Sequence, residues 1–208
     1  SIEEDEEEGR SCILFGMVTD VTGEWHQEER LERELGQYRE EEATCNGCAG
    51  YPKYDQVTGL LSFNRFREEV DSVIASGKGK SCLLVYTDLE NFKYFNRKYG
   101  YAAGDQLLRE FTGYIIDTLK KRNTAHFTRV VADQFILFFE EKWNNGSIEA
   151  IKRINNGFIE RQQRKYPEAK LRLRTGVYKV EKDCDGASFA IDAANYARRQ
   201  IQDNSPET

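Results

Sequence analysis

The fold class this sequence predicts is α/β (α+β), a sheet flanked by helices. Two observations predict it. Short runs rich in β-branched and aromatic residues alternate with longer runs in which apolar residues recur every three or four positions. One pair of strand-like runs, 126–131 and 135–139, is separated by a few residues only, as in a hairpin. The 208 residues allow one domain of ordinary size plus an appendage.

The elements follow in chain order. Residues 11–21 predict a strand, and Thr22-Gly23-Glu24 opens a polar helix to about Glu42. That helix carries Leu31, Leu35, Tyr38 and Glu42 as a thin stripe, fit for a coiled coil or for docking on a neighbouring domain. A solvated helix is the alternative. Residues 44–54, with Gly47, Gly50 and Pro52, are a linker. Ser62 to Ala75 is an amphipathic helix with Phe63, Phe66, Val70 and Ile74 on one face. Ser81 to Thr87 is the first core strand, and Phe92 to Lys98 a short helix. Gly104 to Lys121 is a long helix with Leu107, Leu108, Phe111, Tyr114, Ile115 and Leu119 inward. After the hairpin come a helix over 148–166, a strand over 171–180 and a last helix over 187–202.

Charge excludes some partners. The net −6 is carried by Glu3, Glu4, Asp5, Glu6, Glu7 and Glu8; without them thirty acids face thirty bases. A neutral body argues against nucleic acid as a partner. The acidic run reads as a solvated end. No run of eighteen apolar residues and no signal peptide is present, and five cysteines suit a reducing compartment, so the expected location is cytoplasmic. Cys45 and Cys48 have metal-ligand spacing, but no second Cys or His pair completes a site, and an incidental loop pair is the better reading.

The most informative stretch follows the apolar run Cys82-Leu83-Leu84-Val85. It reads Tyr-Thr-Asp-Leu-Glu-Asn-Phe-Lys-Tyr-Phe-Asn-Arg-Lys-Tyr-Gly-Tyr-Ala-Ala-Gly-Asp over 86–105. Asp88, at the end of a strand, would offer hard oxygen ligands to Mg²⁺. The backbone N–H groups of Asn91, Phe92 and Lys93 would face phosphates at a helix N-terminus. An acidic strand end is also often only a helix cap.

This string resembles the GGDEF domain of the diguanylate cyclase family. Asp88, Phe92, Lys93, Asn96, Gly100, Gly104 and Asp105 stand at the family's motif positions. Glu90 replaces its second Asp, Arg97 an Asp and Tyr101 a His. Upstream, 54–66 is similar to the family's opening Asp-x-Leu-Thr-Gly-Leu-x-Asn-Arg-x-x-Phe. The resemblance covers about 54–204. It implies a ferredoxin-like core related to nucleotidyl cyclases and polymerase palms, with a mostly antiparallel central sheet. The Gly16-x-Val18 strand and the Asp-Val-Thr-Gly-Glu run after it resemble the exit of a PAS sensor. The resulting division is 1–22 acidic segment and PAS-like strand, 23–53 linker helix and loop, and 54–208 GGDEF domain. The abrupt start and polar end predict a piece of a larger protein.

The family's naming motif is altered. Gly-Gly-Asp-Glu-Phe has become Val131-Ala132-Asp133-Gln134-Phe135. Glycine belongs where backbone approaches a ligand or takes positive φ. Val131 places a branched side chain where a nucleotide should lie, Ala132 limits the turn, and Gln134 withholds an anionic metal contact.

By resemblance, Asn96 and Asp105 read guanine and Arg199 stands on the phosphate-binding Lys. Asp88, the Leu89 backbone and Asp133 are the metal positions, and Asp133 is the catalytic position of an active member. Asp203 falls on a basic residue and Gln202 on a glycine. In the product-inhibition site Arg122 survives, but Ala125 replaces the acid.

Three readings follow. The preferred one is a non-catalytic GGDEF domain in cyclic di-GMP signalling. It binds GTP weakly, or couples an N-terminal sensor to a C-terminal EAL domain. The second is an active cyclase, joining two GTP with Mg²⁺ in a homodimer. The third is a dimerisation scaffold without nucleotide.

Overall fold

The computed structural model describes residues 12–15, 53–77, 82–119, 125–140, 145–181 and 184–200, with the backbone alone at 12–15, 125 and 145. The acidic run, the predicted linker helix, Cys45, Cys48, Arg122, Gln202 and Asp203 lie outside the described residues.

The elements are β1 (Cys12–Phe15), α1 (Phe63–Ala75), β2 (Leu83–Glu90), α2 (Phe92–Tyr99), α3 (Tyr101–Leu119), β3 (Ala125–Val131), β4 (Gln134–Phe139), α4 (Asn145–Lys165), a 3₁₀ turn (Pro167–Ala169), β5 (Arg172–Lys179) and α5 (Ala187–Arg199). The sheet order is β1-β5-β2-β4-β3 with every described pair antiparallel. From β2 to β5 the chain runs β-α-β-β-α-β with β2 and β4 central, which is the ferredoxin-like arrangement. β1 is the described part of the predicted 11–21 strand. The sequence reading assigned that strand to a unit ahead of the linker; its hydrogen-bond partner is β5 of the main sheet. It covers what would otherwise be an open edge.

Alternation along the strands sends side chains to two apolar layers. Leu83, Val85, Leu89, Phe135, Leu137 and Val177 pack against α2, α3 and α4. Phe111 of α3 anchors that layer, meeting Phe135 and Phe158 edge-on with centroids 4.9 Å away in both cases. Leu84, Tyr86, Ile136, Phe138 and Tyr178 face the opposite way, against α1 and α5. Phe66 and Val70 are the fully buried part of the α1 stripe. Asp71 of α1 accepts the N–H of Ala187 at 2.6 Å, which caps α5 and ties the two helices together.

Polar groups also cross the core. Thr87 Oγ1 and Thr175 Oγ1 are 2.8 Å apart, and Asn155 Nδ2 donates to Thr175 Oγ1 at 2.8 Å. This triad joins β2, β5 and α4.

Two boundaries differ from expectation in ways that matter. β2 runs on to Glu90, so Asp88 lies within the hydrogen-bonded ladder rather than at its end. α3 begins at Tyr101, because Gly100 takes φ +88° and ends α2 in one residue.

Candidate functional site

Asp88 and Glu90 are two residues apart on β2, so both side chains leave the sheet on the α5 side. Asp88 stands opposite Gln134 of β4 and Arg174 of β5. Above them α5 rests on β5 at Gly176. A Cβ there would lie 2.0 Å from the Ala194 carbonyl oxygen and 2.3 Å from the Arg198 nitrogen. The missing side chain is what allows this close approach.

Arg198 is thereby held over Tyr86, the strand neighbour of Gly176, with its guanidinium carbon 5.1 Å from the ring centroid. Its Nη1 donates to Asp88 Oδ2 in an ion pair. Nε and Nη2 both donate to Asn195 Oδ1, at 3.1 and 2.8 Å. The arginine is only 8% exposed, a depth at which a charge needs such partners. Glu90 is matched in the same way by Arg174. Burial outweighs the nearby arginines and holds the Asp88 carboxyl above its ordinary value of 3.8. Burial and the neighbouring Asp88 do the same to Asp133, against the pull of Arg198 and of a hydrogen bond from the Leu89 backbone.

The altered motif forms the β3–β4 hairpin. Val131 pairs with Gln134, leaving Ala132 and Asp133 as a two-residue loop beside a bulge between Arg129 and Val131. Ala132 takes φ +50°, left-handed backbone that disfavours a side chain. Arg129 stabilises the bend: its Nε donates to the Ala132 carbonyl at 2.6 Å, and its Nη1 reaches both Asp55 oxygens at 3.3 Å. Asp55 also accepts from Thr58 N and Oγ1, at 2.8 and 2.7 Å. The opening motif is thus a brace for the hairpin. Burial opposes these contacts, yet Thr58 and Arg129 together hold the Asp55 carboxyl below its ordinary value. Gln134 Oε1 accepts the Tyr86 hydroxyl at 2.7 Å. Burial, countered by the two arginines of α5, pushes that phenol up to about 12, so it is a donor. Val131 is 60% exposed.

Asn96, near the end of α2, and Asp105, in the first turns of α3, flank the α2–α3 junction. A Cβ at Gly104 would lie 1.8 Å from Asn96 Oδ1, so the amide packs on the residue preceding Asp105. Asn96 Oδ1 is buried and has no hydrogen-bond partner among the described residues. Asn91 caps α2 with φ +66° and sends its Nδ2 to the Lys170 carbonyl at 2.7 Å. The Phe92 side chain is buried, whereas Lys93 and Arg97 are exposed. Arg199 is exposed and near enough for its charge to act on Tyr86. Ala125 opens β3 at the far end of the hairpin from Asp133. An open groove of about 280 Å³ beside Tyr114, Thr118 and Arg153 shares no residue with the Asp88 cluster.

The residues present do not fit the Mg²⁺ expected of Asp88, the Leu89 backbone and Asp133. Asp88 already holds a guanidinium, its other oxygen is buried, and Gln134 adds no charge. No cluster of three His, Cys, Asp or Glu able to hold a metal occurs among the described residues. Sequence reasoning missed Arg198, Tyr86, Arg174 and Gly176. One signal was present: in the C-terminal motif of the resembling family, alanine stands where this chain has Arg198.

A protein-family model described as diguanylate cyclase, GGDEF domain, matches residues 52–206. Among curated relatives, the diguanylate cyclase DgcS of Shewanella oneidensis is 32% identical over 89 residues, 42% of this chain and 29% of that protein. The cyclic di-GMP phosphodiesterase PdeR of Escherichia coli is 28% identical over 130 residues, 62% of this chain and 18% of that protein. The chain thus spans less than a third of either relative. Among solved structures, the coiled coil and GGDEF domain of DgcB from Caulobacter crescentus, in complex with c-di-GMP, aligns with TM-score 0.60 at 19% identity. That match covers 84% of this chain and 87% of the other. The GGDEF domain of FimX from Pseudomonas aeruginosa aligns with TM-score 0.59 at 19% identity, covering 72% and 93%. At these identities the structures establish the shared fold.

Proposed function

The chain belongs to the diguanylate cyclase family of GGDEF domains, and on that premise we propose that it is a non-catalytic member acting in cyclic di-GMP signalling. It binds a guanine nucleotide weakly at Asn96 and Asp105. Its state is passed between an N-terminal sensor and a C-terminal EAL-like domain of the same protein. The observation that carries this reading is the Tyr86–Gln134 hydrogen bond. The position that supplies a carboxylate in the resembling motif here supplies an amide, and its oxygen is already engaged. Two-metal joining of nucleotides needs charge at that place.

An amide beside a carboxylate suits guanine, which offers an acceptor next to two N–H donors. The buried, unpartnered Asn96 Oδ1 supports a pocket retained for such an edge. For nucleotide to act as a signal it must prefer one of two states of the protein.

The test is incubation of the purified chain with GTP and Mg²⁺, followed by chromatography for cyclic di-GMP. No product is expected. Product formed at an enzymatic rate overturns the reading in favour of an active cyclase, the alternative to which the nearness of Asp88 and Asp133 points. Calorimetric titration with GTP separates the third possibility: a flat titration up to millimolar GTP identifies a scaffold.

A further inference from the structure

We propose that Arg198 is a resident cation, whose guanidinium takes the place of a divalent metal at Asp88 and keeps this end of the sheet free of Mg²⁺.

The geometry of Asp88 is the first ground. Its Oδ2 is occupied by Arg198 Nη1. Its Oδ1 is sealed from solvent and has no partner among the described residues. Magnesium requires several oxygen ligands in octahedral order and retains much of its water. A hydrated ion reaches Asp88 only if the guanidinium leaves.

The anchoring of Arg198 is the second ground. Asn195 receives two of its N–H groups, its guanidinium carbon sits 5.1 Å from the Tyr86 ring centroid, and the close seating of α5 at Gly176 sets where the side chain begins. A cation attached to the chain keeps its local concentration, whereas a dissolved ion must be captured at a cost in translational freedom. Withdrawal of the arginine would also leave buried charge without a partner.

Charge balance is the third ground. Asp88, Glu90 and Asp133 bring three carboxylates to this corner, and Arg198 and Arg174 bring two guanidinium groups. Two of the three carboxylates are thus already paired before any ion arrives, and Arg172 stands opposite Glu90 in the ladder. An arriving divalent cation would also meet repulsion from a guanidinium bonded to its own intended ligand.

The test uses Mn²⁺ as a paramagnetic probe, titrated into the full chain and followed by electron paramagnetic resonance. The wild type is expected to show no saturable site in the millimolar range. Arg198→Ala is expected to gain one that binds at least about ten-fold tighter, and Asp88→Asn in that background is expected to remove it. Arg198→Met, which keeps apolar contact with Tyr86, is expected to behave as Arg198→Ala does.

Mn²⁺ binding by the wild type that Asp88→Asn abolishes overturns the proposal. So do folded Arg198 variants that gain no site. A variant unfolded in chelator is expected to regain its thermal transition in Mn²⁺, since the metal then replaces the lost charge; failure to regain it counts against the proposal as well. The outcome is separate from the function proposed above. A wild type that binds Mn²⁺ through Asp88 yet makes no cyclic di-GMP overturns only the resident cation.

Discussion

The backbone of Arg198 lies so close to Gly176 that a single methyl group there would stand 2.3 Å from the Arg198 nitrogen. Both sides of this contact are backbone, so neither can rotate away. Gly176→Ala must push α5 off β5 and is expected to cost about 3 kcal/mol. Urea unfolding checks this; a midpoint within error of the wild type refutes the seating of α5.

Gly104→Ala provides a contrast. Its Cβ would meet Asn96 Oδ1, the end of a side chain that can swing aside. The expected stability loss is small, about 1 kcal/mol or less. The expected effect on guanine nucleotide is large, because Asn96 leaves its place against Gly104. GTP-dependent thermal shift measures it: retention of any wild-type shift in Gly104→Ala would exclude Asn96 from the pocket.

Ala132 holds a left-handed conformation at the hairpin bend. Relief of that strain is worth about 1–2 kcal/mol, and the added freedom of glycine in the unfolded chain returns about 0.5–1 kcal/mol. Ala132→Gly is therefore expected to stabilise by about 0.5–1 kcal/mol, which thermal unfolding reads as a rise of about 2 °C. The same substitution is expected to leave the chain without cyclase activity, because Gln134 remains an amide.

The Asp55 brace sets an acid dependence. The Asp55 carboxyl lies below its ordinary value of 3.8 in the folded chain. The folded state therefore binds this proton less readily than the unfolded state does. The resulting stability is fully present above the unfolded value and is lost as pH falls through the lower folded value. Asp55→Asn is expected to lower the melting point near neutrality, and the gap to wild type is expected to close as pH falls below 3.8. A gap that stays constant into acid assigns the brace no ionic part.

Much of the scaffold was legible in advance. Phe66 and Val70 on α1, and Leu107, Leu108, Phe111 and Ile115 on α3, follow a period that only a helix satisfies, and all are buried. The extension of β2 was not legible, because Asp88 and Glu90 look like the end of a strand. They stay in the ladder because Arg174, 84 residues after Glu90, and Arg198, 110 residues after Asp88, neutralise them. No local pattern carries pairings of that span. The motif singles out Asn96, Asp105, Asp133 and Gln134 by spacing alone. At Arg198 it offers only a cation in place of the family's alanine, beside the expected phosphate ligand Arg199; what that cation pairs with depends on the missing side chain at Gly176.

The hydroxyl pair of Thr87 and Thr175, completed by Asn155, works as a peg between β2 and β5. If β5 slid one step along β2, one threonine would turn to the other face and the amide of Asn155 would lose its acceptor inside the core. Misaligned sheets are thus penalised wherever the chain folds. Asp88 faces Arg174, and Tyr86 faces Gly176, in every molecule that passes this check.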